Sequence, residues 1–226
     1  MRARSLSCSS INKIKSTSIN KSILLNENIF NLINKDDYFI KCKQNKNQNK
    51  KEDENSICYL LKNKLKISLS QSDCIKIGIF IENFIKDIIL SYNHNIISIK
   101  EKNKKGEKEK DHLFLDVKNK IIYYAEIKTN LNLDTEKSKE TIKKILKIKD
   151  DLQKSYKNYT IKYYLVSGRY LNNTEINKKI LNKYTEIKDN VKGLNDYLKE
   201  LNVSFKFDYE LYCECLKHFI DVLQVD

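Results

Sequence analysis

Two carboxylates and a lysine lie within one segment that has the composition of a β-hairpin. The segment is DHLFLDVKNKIIYYAEIK, residues 111–128, and the three side chains are Asp111, Glu126 and Lys128. Hard cations such as Mg²⁺ prefer oxygen ligands and are usually held by one or two carboxylates together with substrate phosphate. A bound cation can acidify water and offset developing charge, and a neighbouring ammonium group can position the nucleophile. These residue types therefore predict metal-assisted hydrolysis of a phosphodiester, with Asp111 and Glu126 as the metal ligands.

The hairpin pattern predicts how these side chains come together. Both halves of the segment are rich in β-branched, aromatic and aliphatic residues, and the polar tripeptide 118–120 separates them. A turn centred on the last two residues of that tripeptide places Leu113 opposite Glu126 and Asp111 opposite Lys128. Because strand side chains alternate in direction, the two acids and the lysine are then expected on one face of the sheet.

Asp116 is the competing candidate for the first acid. In the same register it faces Tyr123, and it lies about 16 Å along the ladder from Asp111 at roughly 3.3 Å per residue. The geometry therefore favours Asp111. The alternative interpretation of the whole pattern is an exposed strand on which Glu126 and Lys128 form a solvated pair.

The spacing Asp111, fourteen residues, Glu126-Ile127-Lys128 resembles the signature of the PD-(D/E)XK nucleases, and residues 129–137 resemble the type II restriction endonucleases among them. The resemblance covers residues 72–170, where a helix, the hairpin, a Lys-rich helix and a further strand suit the α-β-β-β-α-β core of that family. One departure is Lys110, which stands where the family often has proline.

The resemblance implies a fold, an activity and partners. The fold would be a restriction-endonuclease-like core of mixed α/β class, with a central mixed β-sheet flanked by helices. The activity would be Mg²⁺-dependent, sequence-specific hydrolysis of double-stranded DNA by a homodimer, paired in its host with a cognate DNA methyltransferase. Two alternatives stay open: a PD-(D/E)XK nuclease of repair, recombination or phage defence, and a non-catalytic nucleic-acid-binding protein.

Further site residues are proposed by position. In many enzymes with this signature a helix glutamate before the hairpin completes the metal site, which makes Glu82 a possible additional acid; the alternative is a solvent-facing ion pair with Lys86 at i+4. Arg169, the only arginine beyond residue 4, is a candidate for DNA recognition because guanidinium groups bind guanine edges and phosphates. Its alternative is a salt bridge at a strand end. Three lysines are further DNA-contact candidates: Lys105, Lys110 and Lys143.

Hydrophobic periodicity predicts the elements that hold these residues. Helices are predicted at residues 22–34, 70–92, 135–153, 186–201 and 209–223, and further strands at 95–100 and 159–167. Ser72 or Asp73 is expected to cap the second of these helices, and Asp134 or Thr135 the third. The third helix is predicted to direct four lysines largely outward: Lys139, Lys143, Lys144 and Lys147.

Composition indicates a single domain and favours a polyanionic partner. The 226 residues are 40% hydrophobic, enough for one core, with a helical and loop decoration expected at 1–70, the catalytic core at 71–170 and closing helices at 171–226. The net charge of +13 favours a polyanionic partner, although a Lys-, Asn- and Ile-rich chain without Pro or Trp also reflects an AT-rich genome.

Cysteine spacing and hydropathy predict the compartment. The six cysteines show no C-x-x-C pair, which favours reduced thiols. No run of ~18 apolar residues is present, and the first residues lack the apolar core of a signal peptide. A soluble, cytoplasmic protein without a membrane partner is expected.

Overall fold

A computed structural model of the chain describes residues 53–67, 69–99 and 110–224. Within these residues the strands are β1 Ile96–Ser98, β2 His112–Asp116, β3 Ile121–Lys128, β4 Thr160–Ser167 and β5 Val191–Gly193. They form one mixed sheet in the order β1-β2-β3-β4-β5. The pairs β1–β2 and β2–β3 are antiparallel, whereas β3–β4 and β4–β5 are parallel.

Helices flank this sheet, as the sequence predicts. The α-helices of the described residues are α1 Ile57–Leu60, α2 Gln71–Tyr92, α3 Thr135–Ser155, α4 Lys178–Leu181, α5 Leu194–Glu200 and α6 Tyr209–Gln224. A π-helical turn, Leu61–Leu65, continues α1, and 3₁₀ segments occur at Asn173–Glu175 and Asn182–Asn190. The predicted mixed α/β class is confirmed, and from α2 to β4 the elements follow in the order α-β-β-β-α-β.

The two long helices that border the hairpin begin at well-formed caps. The Ser70 side chain accepts a hydrogen bond from the Asp73 N–H at 3.1 Å, and the Asp73 carboxylate accepts one from the Ser70 N–H at 3.1 Å. This capping box places the cap of α2 at Ser70, two or three residues before the predicted cap at Ser72 or Asp73. At α3 the prediction of Asp134 is confirmed, because its carboxylate accepts from the Lys137 N–H at 2.8 Å.

A hydrophobic core lies on each face of the sheet. On one face α2 and α6 cover β2 to β4, and Phe80 of α2 stacks on Phe219 of α6 with 3.9 Å between ring centroids. On the other face α3 packs through Ile142 and Ile145. The strands between them therefore carry apolar side chains on both faces, as β3 does from Ile122 to Ala125. This double burial fixes the orientation of the side chains at residues 122–127 of β3.

The hairpin register differs from the prediction by two residues. Leu113 pairs with Tyr124 instead of Glu126, and Asp116 pairs with Ile121 instead of Tyr123. The turn takes four residues because the Asp116 carboxylate accepts hydrogen bonds from the backbone and side-chain N–H groups of Asn119, at 2.9 and 2.7 Å. A shift of two residues leaves each side chain on its predicted face, because the strand period is two.

The predicted helix 186–201 is wrong. Its first part lies in the 3₁₀ segment Asn182–Asn190, β5 follows, and only α5 is α-helical. Gly193 explains the break: a Cβ atom there would lie 2.7 Å from the backbone of Asn172, so a larger residue does not fit. The chain that follows β4 therefore packs closely against the end of β5.

The structure corrects the prediction made for the cysteines. Cys58 and Cys74 form a disulfide between α1 and the start of α2, contrary to the expectation of reduced thiols, whereas Cys213 and Cys215 are free and buried. The predicted helix 22–34 lies outside the described residues. Among the described helices, none has the length and apolar character needed to cross a membrane.

Candidate active site

Asp111 lies at the mouth of the hairpin, one residue before β2. Its carboxylate Oδ2 accepts a hydrogen bond from the backbone N–H of Ile127 at 2.8 Å. Ile127 stands between Glu126 and Lys128, so this bond fixes Asp111 beside both of them. The last paired residues of the ladder are His112 and Ala125, which places Asp111 next to Glu126 across the two strands. The structure therefore brings the three predicted residues together.

Glu126 is the most enclosed member of the cluster. Its side chain is 3% exposed, and its two carboxylate oxygens contact two different lysines. Lys128 Nζ donates to Oε1 at 2.6 Å, and Lys144 Nζ of α3 donates to Oε2 at 2.5 Å. The hydroxyl of Tyr124 donates to the same Oε2 at 3.3 Å. The prediction that Lys144 points outward is wrong, because α3 directs this side chain onto the sheet.

Glu82 of α2 completes the group of acids. It is half-buried, and the charges that act on it are those of Asp111, Glu126, Lys128 and Lys144. The predicted alternative, a solvent-facing ion pair with Lys86, is not among the ion pairs of the described residues. Helix α2 therefore brings a third carboxylate to the hairpin mouth.

The acids differ in how readily they ionise. Burial raises the pKa of Glu82 to about 7, and the charge of Asp111 adds to the effect. Burial also raises the pKa of Asp111 to about 6, again with help from a like charge, that of Glu126. For Glu126 burial acts in the same direction, but the ammonium groups of Lys128 and Lys144 outweigh it and hold the pKa below its usual value. Glu126 is thus ionised at neutral pH, whereas Asp111 and Glu82 titrate near it.

Lys128 remains charged in this environment. Burial acts to lower its pKa, but the charges of Glu126, Asp111 and Glu82 outweigh that effect and raise the pKa above its usual value. Three carboxylates around two ammonium groups make a compact cluster with alternating charges. Ionisable groups whose pKa values are shifted by burial and by specific charge partners are typical of functional sites.

His112 connects the elements around the acids. It is buried, and its Nε2 lies 2.7 Å from the carbonyl oxygen of Glu82, which can only accept, so Nε2 carries the proton. Its Nδ1 lies 3.1 Å from the hydroxyl of Tyr197 and accepts from it. Burial lowers the pKa of His112 to about 4, so the ring is neutral at neutral pH. His112 therefore joins β2, α2 and α5 from a buried position.

The donor set suits a hard divalent cation, although its ligands are not already converged on one point. Carboxylate oxygens are the ligands that Mg²⁺ prefers, and Asp111, Glu126 and Glu82 supply them from three elements. Within the described residues, no group of three His, Cys, Asp or Glu side chains forms a ready-made metal cage. Mg²⁺ does not need such a cage, because it commonly keeps several waters and binds one or two carboxylates plus substrate phosphate.

The predicted DNA-contact residues lie in different surroundings. Lys143 is exposed on α3, Lys110 is half-buried immediately before Asp111, and Lys105 lies outside the described residues. Arg169 follows β4, and its guanidinium carbon lies 5.2 Å from the ring centroid of Tyr170. Its Nε is buried without a hydrogen-bond partner among the described residues. The preceding residue, Gly168, donates its N–H to the Lys128 carbonyl at 2.9 Å, so the backbone of Arg169 follows directly on the end of β3.

Two members of the cluster were not found from the sequence, Lys144 and Tyr124. Tyr124 alternates with Glu126 along β3, so its position on the same face follows from the strand period. Lys144 stands at the border of the buried face of α3, three residues after the buried Thr141. Spacing alone does not separate such a border residue from an outward one.

No protein-family model, curated protein or solved structure matches the chain. The geometry of the site is therefore the basis for assigning a function.

Proposed function

We propose that this chain is a Mg²⁺-dependent nuclease of the PD-(D/E)XK type that hydrolyses phosphodiester bonds of double-stranded DNA. The observation that carries the proposal is the meeting of Asp111, Glu126 and Lys128 at the hairpin mouth, tied together by the bond from the Ile127 N–H to Asp111. Their identity and order match the signature that the sequence resembles, and Glu82 adds the helix acid expected of such a site.

Each side chain has a role that its surroundings support. Asp111 and Glu126 would hold the cation, and Glu82 would complete its surroundings through oxygen or through bound water. When bound, Mg²⁺ supplies Lewis-acid stabilisation of the phosphate and a lower pKa for coordinated water. Lys128, held charged by its carboxylate neighbours, would position the nucleophile and offset the charge of the pentavalent transition state. His112 and Tyr197 keep the backbone of Glu82 and the start of β2 in place.

The fold and the charge of the chain support the same assignment. The order α-β-β-β-α-β from α2 to β4 is the order that the family resemblance implies. The net charge of +13 suits a polyanionic substrate. Exposed lysines on α3, Lys139, Lys143 and Lys147, lie on the same helix as Lys144 and could follow a phosphate backbone.

The finer assignment is a type II restriction endonuclease. It implies recognition of a short DNA sequence, action as a homodimer and a cognate methyltransferase in the same host. These features come from the resemblance of residues 111–137 to type II enzymes, and a digestion pattern tests them directly.

The test is cleavage of unmethylated phage DNA by the purified chain with Mg²⁺ and with EDTA. Discrete fragments that need Mg²⁺ are expected from the wild type. Asp111→Asn, Glu126→Gln and Lys128→Met should each reduce cleavage by about a hundredfold or more, since each removes a metal ligand or the charge beside the reacting phosphate. Glu140→Gln, which changes an exposed acid of α3, is the matched control and should cut like the wild type.

The outcomes separate the candidate functions. A Mg²⁺-dependent smear would retain the nuclease and remove the restriction assignment. Cleavage that survives in all three site variants would place the chemistry elsewhere. DNA binding without cleavage of linear, supercoiled or branched substrates would favour a non-catalytic binding protein.

A further inference from the structure

Lys144 of α3 occupies a position that the proposed reaction does not explain. Its Nζ lies 2.5 Å from Oε2 of Glu126, while Lys128 Nζ lies 2.6 Å from Oε1. Both oxygens of the carboxylate are thus in contact with a positive charge. A divalent cation that binds Glu126 needs at least one of these oxygens, and like charges repel strongly at such distances. We therefore expect one lysine to move away from Glu126 when a cation binds.

The proposed reaction indicates which one moves. Both lysines lie in the field of all three carboxylates, but the reaction needs the charge of Lys128 beside the phosphate, whereas Lys144 has no role in it. The ion pair of Lys144 within the described residues is with Glu126. The side chain of Lys144 is 17% exposed, against 33% for Lys128, and its helix neighbour Lys143 is exposed. A lysine with a flexible stem at the edge of a helix face can swing toward solvent without disturbing the strand.

The packing of α3 nevertheless fixes the position of Lys144 beside Glu126. Thr141, one turn earlier on α3, is buried and donates its hydroxyl to the Lys137 carbonyl at 2.8 Å, and Ile145 is buried in the core below the sheet. These residues fix the helix face from which Lys144 reaches Glu126. The hydroxyl of Tyr124 donates to the same carboxylate oxygen. The contact thus belongs to the packed structure of the site.

We propose that Lys144 is a placeholder cation, which neutralises and orients the Glu126 carboxylate in the metal-free protein and leaves Oε2 when a divalent cation binds. The proposal rests on the proposed function for the identity of the cation site. Lys144 is then a positioning residue, which keeps the buried Glu126 carboxylate paired before a metal ion binds. It lowers the affinity for the metal ion because it contacts Oε2. Removing Lys144 should therefore strengthen cation binding, whereas removing a metal ligand should weaken it.

The test measures Mn²⁺ binding by titration calorimetry on the full chain without DNA. Lys144→Met is expected to bind Mn²⁺ about tenfold more tightly than the wild type, which corresponds to ~1.4 kcal/mol. Lys143→Met removes the same charge from the adjacent exposed position and should change the affinity by less than about twofold, because solvent and salt screen it. Lys144→Arg keeps the charge and should bind close to wild type.

Several outcomes would support or overturn the proposed role of Lys144. Unchanged or weaker Mn²⁺ binding by folded Lys144→Met overturns the placeholder role, as does equal tightening in Lys143→Met. Circular dichroism checks that the variant is folded, and Lys144→Gln replaces it if it is not. Failure of the wild type to bind Mn²⁺ at all would instead remove the metal site itself and the proposed function with it. A lower Mg²⁺ requirement for cleavage by Lys144→Met would further support the proposal.

Discussion

Asp111→Asn is expected to stabilise the metal-free protein above neutral pH while it removes most of the proposed cleavage activity. The pKa of Asp111 rises from its ordinary value of 3.8 to about 6 in the folded chain, first because it is buried and second because Glu126 is close. The folded protein therefore binds this proton more tightly than the unfolded chain does. The stability that this contributes is fully present below about pH 4 and is lost as the pH rises to about 6.

The size of the effect follows from the two values. The difference between 3.8 and about 6 corresponds to about 3 kcal/mol of unfavourable free energy for the ionised carboxylate at about pH 8. Asparagine resembles the protonated acid and keeps an oxygen that can accept from the Ile127 N–H. The variant should therefore be more stable than the wild type by about 2–3 kcal/mol at about pH 8 and equal to it near pH 4. The melting temperature should rise by roughly 5–10 °C at the higher pH.

The assay is urea unfolding in EDTA at several pH values between about 4 and 8. Asp116→Asn is the control, because it makes the same substitution at the other end of β2. There one of the two turn hydrogen bonds to Asn119 is lost, so a loss of about 1 kcal/mol is expected. An Asp111→Asn variant less stable than wild type at pH 8, or one whose advantage did not change with pH, would refute the account of crowded, buried acids.

Three further results are expected. Mn²⁺ binding by the wild type should strengthen as the pH rises from about 5 to 8, because protons on Asp111, with a pKa of about 6, and on Glu82, with one of about 7, compete with the cation; calorimetry that found no dependence on pH would exclude these acids as ligands. His112→Phe should lower the free energy of unfolding by about 1–3 kcal/mol, since the Glu82 carbonyl and the Tyr197 hydroxyl each lose a buried partner; unchanged urea unfolding would contradict this network. Ser70→Ala should lower it by about 1 kcal/mol through loss of the α2 cap, and an unaffected midpoint in the same assay would show that the capping box is not important.

Local patterns in the sequence were sufficient to predict the elements around the site. The apolar spacing of α2 and the composition of β2 and β3 correspond to helices and strands that bury those same residues. The register was harder, since it depends on a turn held by the Asp116 side chain and by Lys120, whose φ of 54° is in the left-handed region. A count based on a two-residue turn misses both features. The error of two residues left Asp111 on its predicted face because strand side chains alternate.

Tertiary contacts account for what the sequence did not predict. Lys144 lies at the border of the buried face of α3, and it points inward because Glu126 is across from it, which only the packed sheet determines. Gly193 lies within a segment whose apolar spacing is helical. The close approach of the Asn172 backbone leaves no room for a larger residue there. The pairing of Cys58 with Cys74 likewise depends on α1 and α2 lying side by side.

The most direct test of the central claim is the position of a divalent cation in crystals of the chain grown or soaked with Mn²⁺. We expect an anomalous peak in contact with the carboxylates of both Asp111 and Glu126, lost in Asp111→Asn crystals treated in the same way. A peak at another site, or a Glu126 carboxylate still bound by both Lys128 and Lys144 at saturating Mn²⁺, would contradict it.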